Sequence, residues 1–348
     1  MKRCLALFTA VSVLLSLTSC RKNEQYASID FFTMNTYASV MADGADEALL
    51  RAVKENVLSL EKRYSRTYAE SEINRLSSGV RLQNDTADLL KTLLTISEDT
   101  QGAFDFTLGT LCELWDINGE NPHVPSEDAI REALSHCGFQ KVRVDEDNFY
   151  YCDDPNTVLD LGAAVKGYAG QRQLDMLKQE GIENAVVNLG GNVSVIGSSA
   201  KNKEKGVDGW NIGINNPFRT SELLGTLFLS DATVSVSGSY ERYFEENGVR
   251  YHHILDSATG YPADSGLISV AVVCDDGLYA DALSTALFVL GYDGGMALYE
   301  QHSYDFEAVF CLTDGTVYVT EGLGGLFVPN ETATRQDGEM LRFEFLSN

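Results

Sequence analysis

The sequence from Leu267 to Leu290 reads LISVAVVCDDGLYADALSTALFVL and contains two patterns in succession. Residues 267–274 are mostly apolar and rich in β-branched side chains, which predicts a strand. Residues 279–290 predict a helix, on which Asp281 and Thr285 are about one turn apart and share one face. This stretch therefore predicts a strand followed by a helix that presents a carboxylate and a hydroxyl side by side.

Outward from this stretch, the chain mixes predicted helices and strands, and most of the strands come late. The other predicted helices are 45–62, one that begins at Asp85 or Thr86 and ends near Gly102, 126–136 and 164–181. The other predicted strands are 28–41, 142–151, 158–161, 185–189, 193–196, 210–214, 223–229, 233–236, 249–255, 308–312 and 317–319. The order predicts an α+β fold, with early helices apart from a later sheet-rich region. A doubly wound α/β sheet is the alternative, and the pattern favours it less than the α+β fold.

The first nineteen residues predict a secretion signal that is not part of the fold. A basic pair is followed by residues 5–17, which are almost wholly apolar but short for a bilayer span. Small residues then precede Cys20, as in a bacterial lipoprotein signal, whose cysteine is acylated and becomes the new N-terminus. An ordinary secretory signal with an incidental cysteine is the alternative. We expect an extracytoplasmic protein, on the periplasmic or cell-surface side, anchored to a membrane through a tether over residues 20–27.

The chain is strongly acidic, with 26 Lys and Arg against 51 Asp and Glu and a formal net charge of −25. Removal of residues 1–19 takes away Lys2 and Arg3 and no acidic residue, which brings the charge to −27. Because phosphate backbones need a basic face, this composition argues against a nucleic-acid partner. An anionic ligand has to be neutralised locally, by a metal ion or by helix N-termini.

No linker or repeat divides the rest of the chain. Residues 28–348 are therefore expected to form one domain, or two interleaved subdomains. An odd number of cysteines without metal-ligand spacing lies in this region: Cys112, Cys137, Cys152, Cys274 and Cys311. We expect mostly buried small hydrophobic residues, with one disulfide left open for an oxidising compartment.

Three glycine-containing segments carry polar side chains that suit a nucleotide. In residues 159–168, a predicted strand leads into a helix with Lys166 in its first turn, where N–H groups and a lysine suit a phosphate. In the segment 188–192, NLGGN, paired glycines let the backbone approach a ligand closely. The third segment, residues 102–109, contains Asp105 and Thr107, whose polar side chains suit contact with a ligand. Each segment has an alternative interpretation as a turn that binds nothing.

Two of the five histidines, His252 and His253, are adjacent in the predicted strand 249–255. Neighbouring residues on a strand face opposite ways, so one histidine is expected to point to a site and the other to solvent. A structural role for both is the alternative.

Asp281 and Thr285 predict a metal site. A carboxylate, a threonine hydroxyl and a backbone carbonyl form an all-oxygen set, which suits Mg²⁺ rather than Zn²⁺ or Cu²⁺. The alternative is a charge favoured by the helix dipole at Asp281 and a core residue at Thr285.

Taken in order, these segments resemble the ApbE-type flavin transferases over nearly the whole mature chain. The motifs are Thr33–Tyr37, Ser71–Leu76, Gly102–Thr107 with Leu114-Trp115, Asp160–Ala169, Asn188–Asn192, His253–Gly260 and Ala280–Thr285. The resemblance implies an α+β fold related to the T-fold, with a mixed or antiparallel sheet and flanking helices. It implies an enzyme that cleaves FAD with Mg²⁺, releases AMP and transfers FMN to a serine or threonine. The implied acceptors are extracytoplasmic flavoproteins of membrane redox systems that carry a Ser/Thr-Gly-Ala-Thr-like sequence.

The resemblance also assigns roles to individual positions. It implies Mg²⁺ bound by Asp281, Thr285 and the backbone carbonyl of Ala163. It implies FAD contacts at Met34, Ser71, Glu72, Asp105, Thr107, Asp160, Lys166, Asn188, Gly190, Gly191, Asn192 and His253. For catalysis we favour Asp281 as the base for the acceptor hydroxyl, with His253 as a helper or flavin-positioning group. Ala163 and Asn35 depart from the family pattern, which usually has glycine at both positions.

Two other functions stay open from the sequence. One is an FAD pyrophosphatase, which releases FMN and AMP without an acceptor. The other is a flavin-binding lipoprotein without turnover, whose FAD binding does not respond to EDTA.

Overall fold

Side chains alternate along Leu267–Cys274 between two buried faces. Val270 and Val272 pack on one face and Ala271 and Val273 on the other, and all four are buried. A strand buried on both faces belongs in the middle of a covered sheet, and here neighbouring strands pair with it on both sides.

A computed structural model describes residues 26–347. The predicted signal over residues 1–19, the acylation site Cys20 and most of the tether over residues 20–27 lie outside the described residues. Within residues 26–347, no helix is both long and apolar enough to cross a membrane.

The described residues form seventeen strands and seven α-helices. The strands are β1 Tyr26–Thr33, β2 Thr36–Asp43, β3 Val80–Arg81, β4 Val142–Val144, β5 Phe149–Cys152, β6 Ala185–Leu189, β7 Asn192–Ile196, β8 Trp210–Asn215, β9 Leu223–Leu229, β10 Thr233–Gly238, β11 Tyr243–Glu246, β12 Val249–His252, β13 Leu267–Cys274, β14 Glu307–Leu312, β15 Thr316–Val319, β16 Phe327–Pro329 and β17 Arg342–Phe345. The helices are α1 Glu47–Tyr64, α2 Asn84–Asp99, α3 Gly109–Trp115, α4 Glu127–Ser135, α5 Val165–Gln179, α6 Ala200–Glu204 and α7 Gly277–Glu300.

The main sheet has nine strands in the order β1-β2-β6-β7-β10-β13-β14-β15-β17. Its pairs are antiparallel except for β15 with β17. This confirms the predicted α+β fold and excludes a doubly wound parallel sheet. The early part of the chain is not separate from the sheet, since β1 and β2 join it beside β6 and α1 packs against β1 and α5.

Three predicted strands differ in the structure. The segment 28–41 is a hairpin, because Met34 and Asn35 form a two-residue turn with φ of 48° and 54°. The segment 142–151 likewise divides into β4 and β5. In 158–161, Val158 forms one isolated bridge, to Leu108, instead of a strand. The two hairpins lack an Asn-Gly or Asp-Gly turn signal, so their sequences resemble longer strands.

Helices cover one face of the main sheet and a small sheet covers the other. The core on the first face includes Leu50 of α1, Leu174 of α5 and Leu283 of α7. The core on the second face includes Leu227 of β9 and Phe327 of β16, which belong to the sheet β16-β9-β8. Helix α7 is longer than the predicted 279–290, since it resumes after a non-helical residue at position 291.

The five cysteines are free thiols. Cys137, Cys274 and Cys311 are buried, and Cys112 and Cys152 are half-buried. The expectation of mostly buried cysteines is confirmed, and within residues 26–347 they form no disulfide.

Candidate active site

The middle of the site is a polar stripe on β10. Thr233, Ser235 and Ser237 point towards the helices, whereas Val234 between them packs on the opposite face. The hydroxyl of Thr233 donates to Ser194 on β7 at 2.8 Å. The alternation of a strand therefore brings a row of buried hydroxyls beneath α5 and α7.

Asp281 on α7 lies over this row of hydroxyls and is only 2% exposed. Its Oδ1 accepts a hydrogen bond from the Ser235 hydroxyl at 3.0 Å, and its backbone carbonyl accepts one from Ser284 at 2.8 Å. Ser237 lies 2.8 Å from Ser284 and 3.5 Å from Thr285, oxygen to oxygen. A buried carboxylate needs such donors, because an unpaired charge in a core is costly.

Helix α5 completes the surroundings of Asp281. The Gly167 N–H donates to Asp281 Oδ2 at 2.9 Å, and Lys166 Nζ lies 3.8 Å from Oδ1. A Cβ at position 167 would lie 1.9 Å from the Gly277 carbonyl oxygen, so glycine is required for this close crossing of α5 and α7. The two helices thereby hold an ammonium group and a carboxylate together.

A cavity of about 640 Å³ opens beside these groups. It lies at the end of the sheet that holds the β1–β2 turn and the β6–β7 turn. The predicted site residues that line it are Met34, Asp105, Asp160, Ala163, Lys166, Gly190, His253, Asp281 and Thr285. Segments far apart in sequence thus meet at one cavity.

The β1–β2 turn forms one wall of the cavity. Glu61 on α1 holds this turn, since its carboxylate accepts hydrogen bonds from the Met34 N–H at 2.7 Å and the Thr33 hydroxyl at 2.8 Å. On the other side of the turn, Arg242 donates to the carbonyl of Asn35 at 3.2 Å. The main chain at Met34 is therefore fixed beside the cavity in a left-handed conformation.

The two histidines have different roles. His252 is buried, where Nε2–H donates to the Ala263 carbonyl at 3.0 Å and Nδ1 accepts from the Ile254 N–H at 3.3 Å. The expectation that one of the two histidines points to solvent is wrong, because His252 packs edge-on against Phe288 in the core. Burial lowers the pKa of His252, so the ring is held neutral.

His253 lines the cavity. Its Nδ1 lies 3.2 Å from the carbonyl of Arg242, and since a carbonyl only accepts, Nδ1 carries the proton and Nε2 is left as an acceptor. Burial, followed by the nearby charges of Arg242 and Lys166, lowers the pKa of His253 to about 3. The imidazole is thus neutral at physiological pH and a weak base.

The carboxylates of Asp105 and Asp160 are both tied to neighbouring groups. Asp105 Oδ1 accepts from the N–H and the hydroxyl of Thr107, at 2.8 and 2.6 Å, and Oδ2 accepts from the Phe139 N–H at 3.0 Å. Burial raises the pKa of Asp105. Asp160 Oδ1 accepts from the Gly162 N–H at 2.8 Å, and Oδ2 accepts from Arg66 at 2.9 Å. Both side chains hold the loops that form the cavity wall.

The remaining predicted positions do not line the cavity. Ser71 is buried and accepts from the Asn74 N–H at 3.2 Å, and Glu72 forms an ion pair with Arg63. Thr107 is fully buried behind Asp105. Of the three, Thr107 supports the cavity wall directly, since its N–H and hydroxyl donate to Asp105.

The β6–β7 turn contributes only Gly190 to the cavity wall. Asn188 accepts from the Gly191 N–H at 3.1 Å and so braces the turn. Asn192 is buried, and both polar atoms of its side-chain amide lack a hydrogen-bond partner. A Cβ at Gly190 would lie 2.2 Å from the Thr36 hydroxyl oxygen, which explains the glycine at this position.

Sequence reasoning missed several charged residues that line the cavity: Glu61, Arg66, Glu241 and Arg242. Arg66 pairs with Asp160 across 94 positions of sequence, and no local pattern predicts such a pair. Glu241 and Arg242 lie three and four residues after the end of β10, so the polar run from Ser235 to Tyr243 was the available indication. Within residues 26–347, no group of three or more His, Cys, Asp or Glu side chains is arranged to hold a metal.

A largely antiparallel sheet covered by helices, with a cavity at one end that charged side chains line, suits an enzyme that acts on a nucleotide-sized substrate. Residues 33–310 match the ApbE family. The FAD:protein FMN transferase of Klebsiella pneumoniae strain 342 is 35% identical over 272 residues, covering 76% of this chain and 82% of that protein. The one from Treponema pallidum strain Nichols is 36% identical over 251 residues, covering 68% and 67%.

Comparison with solved structures points to the same family. The crystal structure of the ApbE protein from Thermotoga maritima has a TM-score of 0.76 and 32% identity, covering 87% of this chain and 99% of that chain. The apo form of the Pseudomonas stutzeri flavinyl transferase ApbE has a TM-score of 0.75 and 30% identity, covering 87% and 96%. The chain belongs to the ApbE family, which confirms the resemblance in its sequence.

Proposed function

We propose that this protein is an FAD:protein FMN transferase, which moves FMN from FAD to a hydroxyl of an acceptor flavoprotein and releases AMP. One observation carries the proposal: in a chain of the ApbE family, Asp281, Thr285 and Lys166 converge on a single cavity. The cavity volume of about 640 Å³ falls within the range of roughly 300–1,000 Å³ that is usual for ligand pockets.

We infer Mg²⁺ as the metal of this site. Asp281 and Thr285 line the cavity from successive turns of α7, and the carbonyl of Ala163 lines it as well, so the available donors are hard oxygens. With one carboxylate among them, the ion would keep water and substrate oxygens as its other ligands. When bound, Mg²⁺ polarises the phosphoryl oxygens of the substrate and stabilises the leaving phosphate.

Cationic side chains at the cavity wall offset the charge of the diphosphate. The chain as a whole carries a net charge of −25, so attraction has to be local. Lys166, Arg66 and Arg242 all line the cavity. Lys166 is the best placed of the three, because its ammonium group lies beside Asp281, the proposed ligand of the metal that would bind the diphosphate. We infer that Lys166 binds the diphosphate and orients it for attack.

We infer that the acceptor is an extracytoplasmic flavoprotein of a membrane redox system, with the receiving hydroxyl in a Ser/Thr-Gly-Ala-Thr-like sequence. The lipoprotein-like signal over residues 1–19 supports this location, since it predicts export and acylation at Cys20. A lipid anchor would hold the enzyme on the same membrane as its acceptor.

The test combines the protein lacking residues 1–19 with FAD, Mg²⁺ and a domain that bears the acceptor sequence. We expect a fluorescent flavin band that survives a denaturing gel and is lost with EDTA or when the acceptor hydroxyl is replaced by alanine. No band with all components verified active contradicts the proposal. FMN and AMP released without acceptor at a rate that rivals transfer indicate a pyrophosphatase. FAD binding indifferent to EDTA, without turnover, indicates a binding protein.

A further inference from the structure

The transfer reaction needs a group that takes the proton of the acceptor hydroxyl. As the hydroxyl oxygen bonds to the phosphorus of the FMN half, the bond from that phosphorus to the bridging oxygen breaks, and AMP leaves with the electron pair. The hydroxyl proton has to be accepted at the same time by a base within reach. The base needs an oxygen or nitrogen that is not already committed to another donor.

Five carboxylates within the described residues line the cavity: Glu61, Asp105, Asp160, Glu241 and Asp281. Four of them have both oxygens engaged by hydrogen bonds from their surroundings, as described above. These four hold the β1–β2 turn, the loops at the cavity wall and the crossing of α5 with α7. A proton transferred to any of them would displace a hydrogen bond on which the shape of the cavity depends.

Glu241 differs from the other four carboxylates. It follows β10 by three residues and its side chain is exposed to the cavity. Within residues 26–347 no hydrogen bond reaches its carboxylate, and Lys166 and Arg242 are the cations that act on it. Although solvent reaches Glu241 through the cavity, protein surrounds it, and this burial raises its pKa. A carboxylate that is uncommitted, accessible and more basic than usual has the properties of a general base.

The nitrogen and carboxylate that the sequence favoured are less suited to this step. His253 presents an acceptor nitrogen, but its pKa of about 3 makes it a weak base. Asp281 is held by Gly167 and Ser235 beside Lys166, and it is a proposed metal ligand. We therefore assign substrate positioning to His253 and metal binding to Asp281.

We propose that Glu241 is the general base that accepts the proton of the acceptor hydroxyl. This inference rests on the proposed function, because it concerns the same transfer reaction. Lys166 from α5 and Arg242 are the charged groups that act on Glu241, and Tyr240 precedes it in the chain. His253, after β12, lines the same cavity. Lys166 and Arg242 favour the ionised carboxylate, which is the form that accepts a proton.

The test measures FMN transfer by wild type, Glu241→Gln and Glu241→Asp as a function of pH. Glu241→Gln is expected to lower the transfer rate by about 10²–10⁴-fold. Its affinity for FAD is expected to be unchanged or tighter, since a negative charge near the diphosphate is removed. The wild-type rate should rise with pH through the pKa of Glu241, and this rise should be absent in Glu241→Gln. Glu241→Asp should restore part of the rate together with the rise.

Glu246→Gln, at an exposed position of β11 outside the cavity, is the matched control and should transfer at the wild-type rate. A Glu241→Gln variant with the full rate and an unchanged pH profile overturns the role of Glu241 and leaves the proposed function standing. A wild-type protein that transfers no FMN overturns both.

Discussion

The two faces of β10 are both buried, yet they are filled in different ways. On the helical face, Ser235 and Ser237 belong to a hydrogen-bonded network around Asp281. On the opposite face, Val234 packs in an apolar cluster with β8 and β9. An apolar side chain needs only a complementary shape, whereas a buried carboxylate needs a donor for each oxygen. The same alternation that builds the sheet therefore separates a packing face from a chemical face.

Filling the interior with a carboxylate costs more free energy than filling it with an apolar side chain. Removing a carboxylate from water costs several kcal/mol, and hydrogen bonds offset this only when each oxygen is satisfied. Asp281 receives such bonds from Gly167 and Ser235, with Lys166 beside it. An apolar residue at this position would fill the space with less cost, so we interpret the buried charge as kept for ligand binding.

The largest effect is expected on the chemical face. Asp281→Ala should lower metal-dependent FMN transfer by about 10³-fold or more, since it removes the one carboxylate among the proposed metal ligands. The fold should persist, because most of the core lies elsewhere. Transfer kinetics at several Mg²⁺ concentrations, together with circular dichroism, measure both.

Asp281→Asn serves as the isosteric companion to this variant. It keeps the shape and most hydrogen bonds but loses the charge, and it should be as inactive as the alanine variant. Full activity in either variant would show that the metal assignment is wrong.

The opposite result is expected on the packing face. Leu227 on β9 is fully buried in the apolar cluster, so Leu227→Ala should lower the free energy of unfolding by about 2–5 kcal/mol. Denaturant unfolding measures this change. Transfer per folded molecule should equal that of the wild type. A loss of transfer that exceeds the loss of folded protein would mean that the two faces are coupled.

These two faces also differ in how far the sequence predicts them. The strand at 267–274 and the helix that follows it are predicted from apolar periodicity, and so is the shared face of Asp281 and Thr285. The donors to Asp281 come from Gly167 and Ser235, which lie 114 and 46 positions away. Periodicity carries no information on such pairs, because they depend on how α5 crosses α7 over β10.

The β1–β2 turn shows a second limit. The residues Met34 and Asn35 adopt positive φ without a glycine, so the sequence reads as one strand. The turn depends on Glu61, 27 positions from Met34, which accepts hydrogen bonds from the turn. A tertiary contact here overrides the local preference. Glu241 was missed for a related reason. It is distinguished by a carboxylate that accepts no hydrogen bond within residues 26–347, and a sequence does not show which side chains stay unbonded.

A smaller effect is expected for Lys166 at the start of α5. Lys166→Ala should raise the FAD concentration needed for half-maximal rate by about 10–100-fold, since a charge-assisted contact to phosphate contributes about 1.5–3 kcal/mol. The maximal rate should change less than this. FAD titrations of the transfer rate separate the two quantities.

Helix α5 offers a matched control at its other end. Lys178 also lies 3.8 Å from a carboxylate, that of Asp231, but both partners are about half exposed. Lys178→Ala should leave the FAD requirement unchanged, because exposed ion pairs contribute little. An unchanged requirement in Lys166→Ala would remove the phosphate role from this lysine.

The smallest effect is expected for Ser235, which acts on the substrate only through Asp281. Ser235→Ala removes one of two donors to the Asp281 carboxylate, a loss of about 1 kcal/mol or about fivefold in transfer rate. Ser194→Ala is the matched control, since Ser194 is equally buried and bonds to Thr233 at 2.8 Å without touching Asp281. Both variants should lose similar stability in denaturant unfolding, and only Ser235→Ala should lose transfer and require more Mg²⁺. Equal transfer in the two variants would mean that the hydroxyl row beneath α7 serves packing alone, and that the chemical face begins only at Asp281.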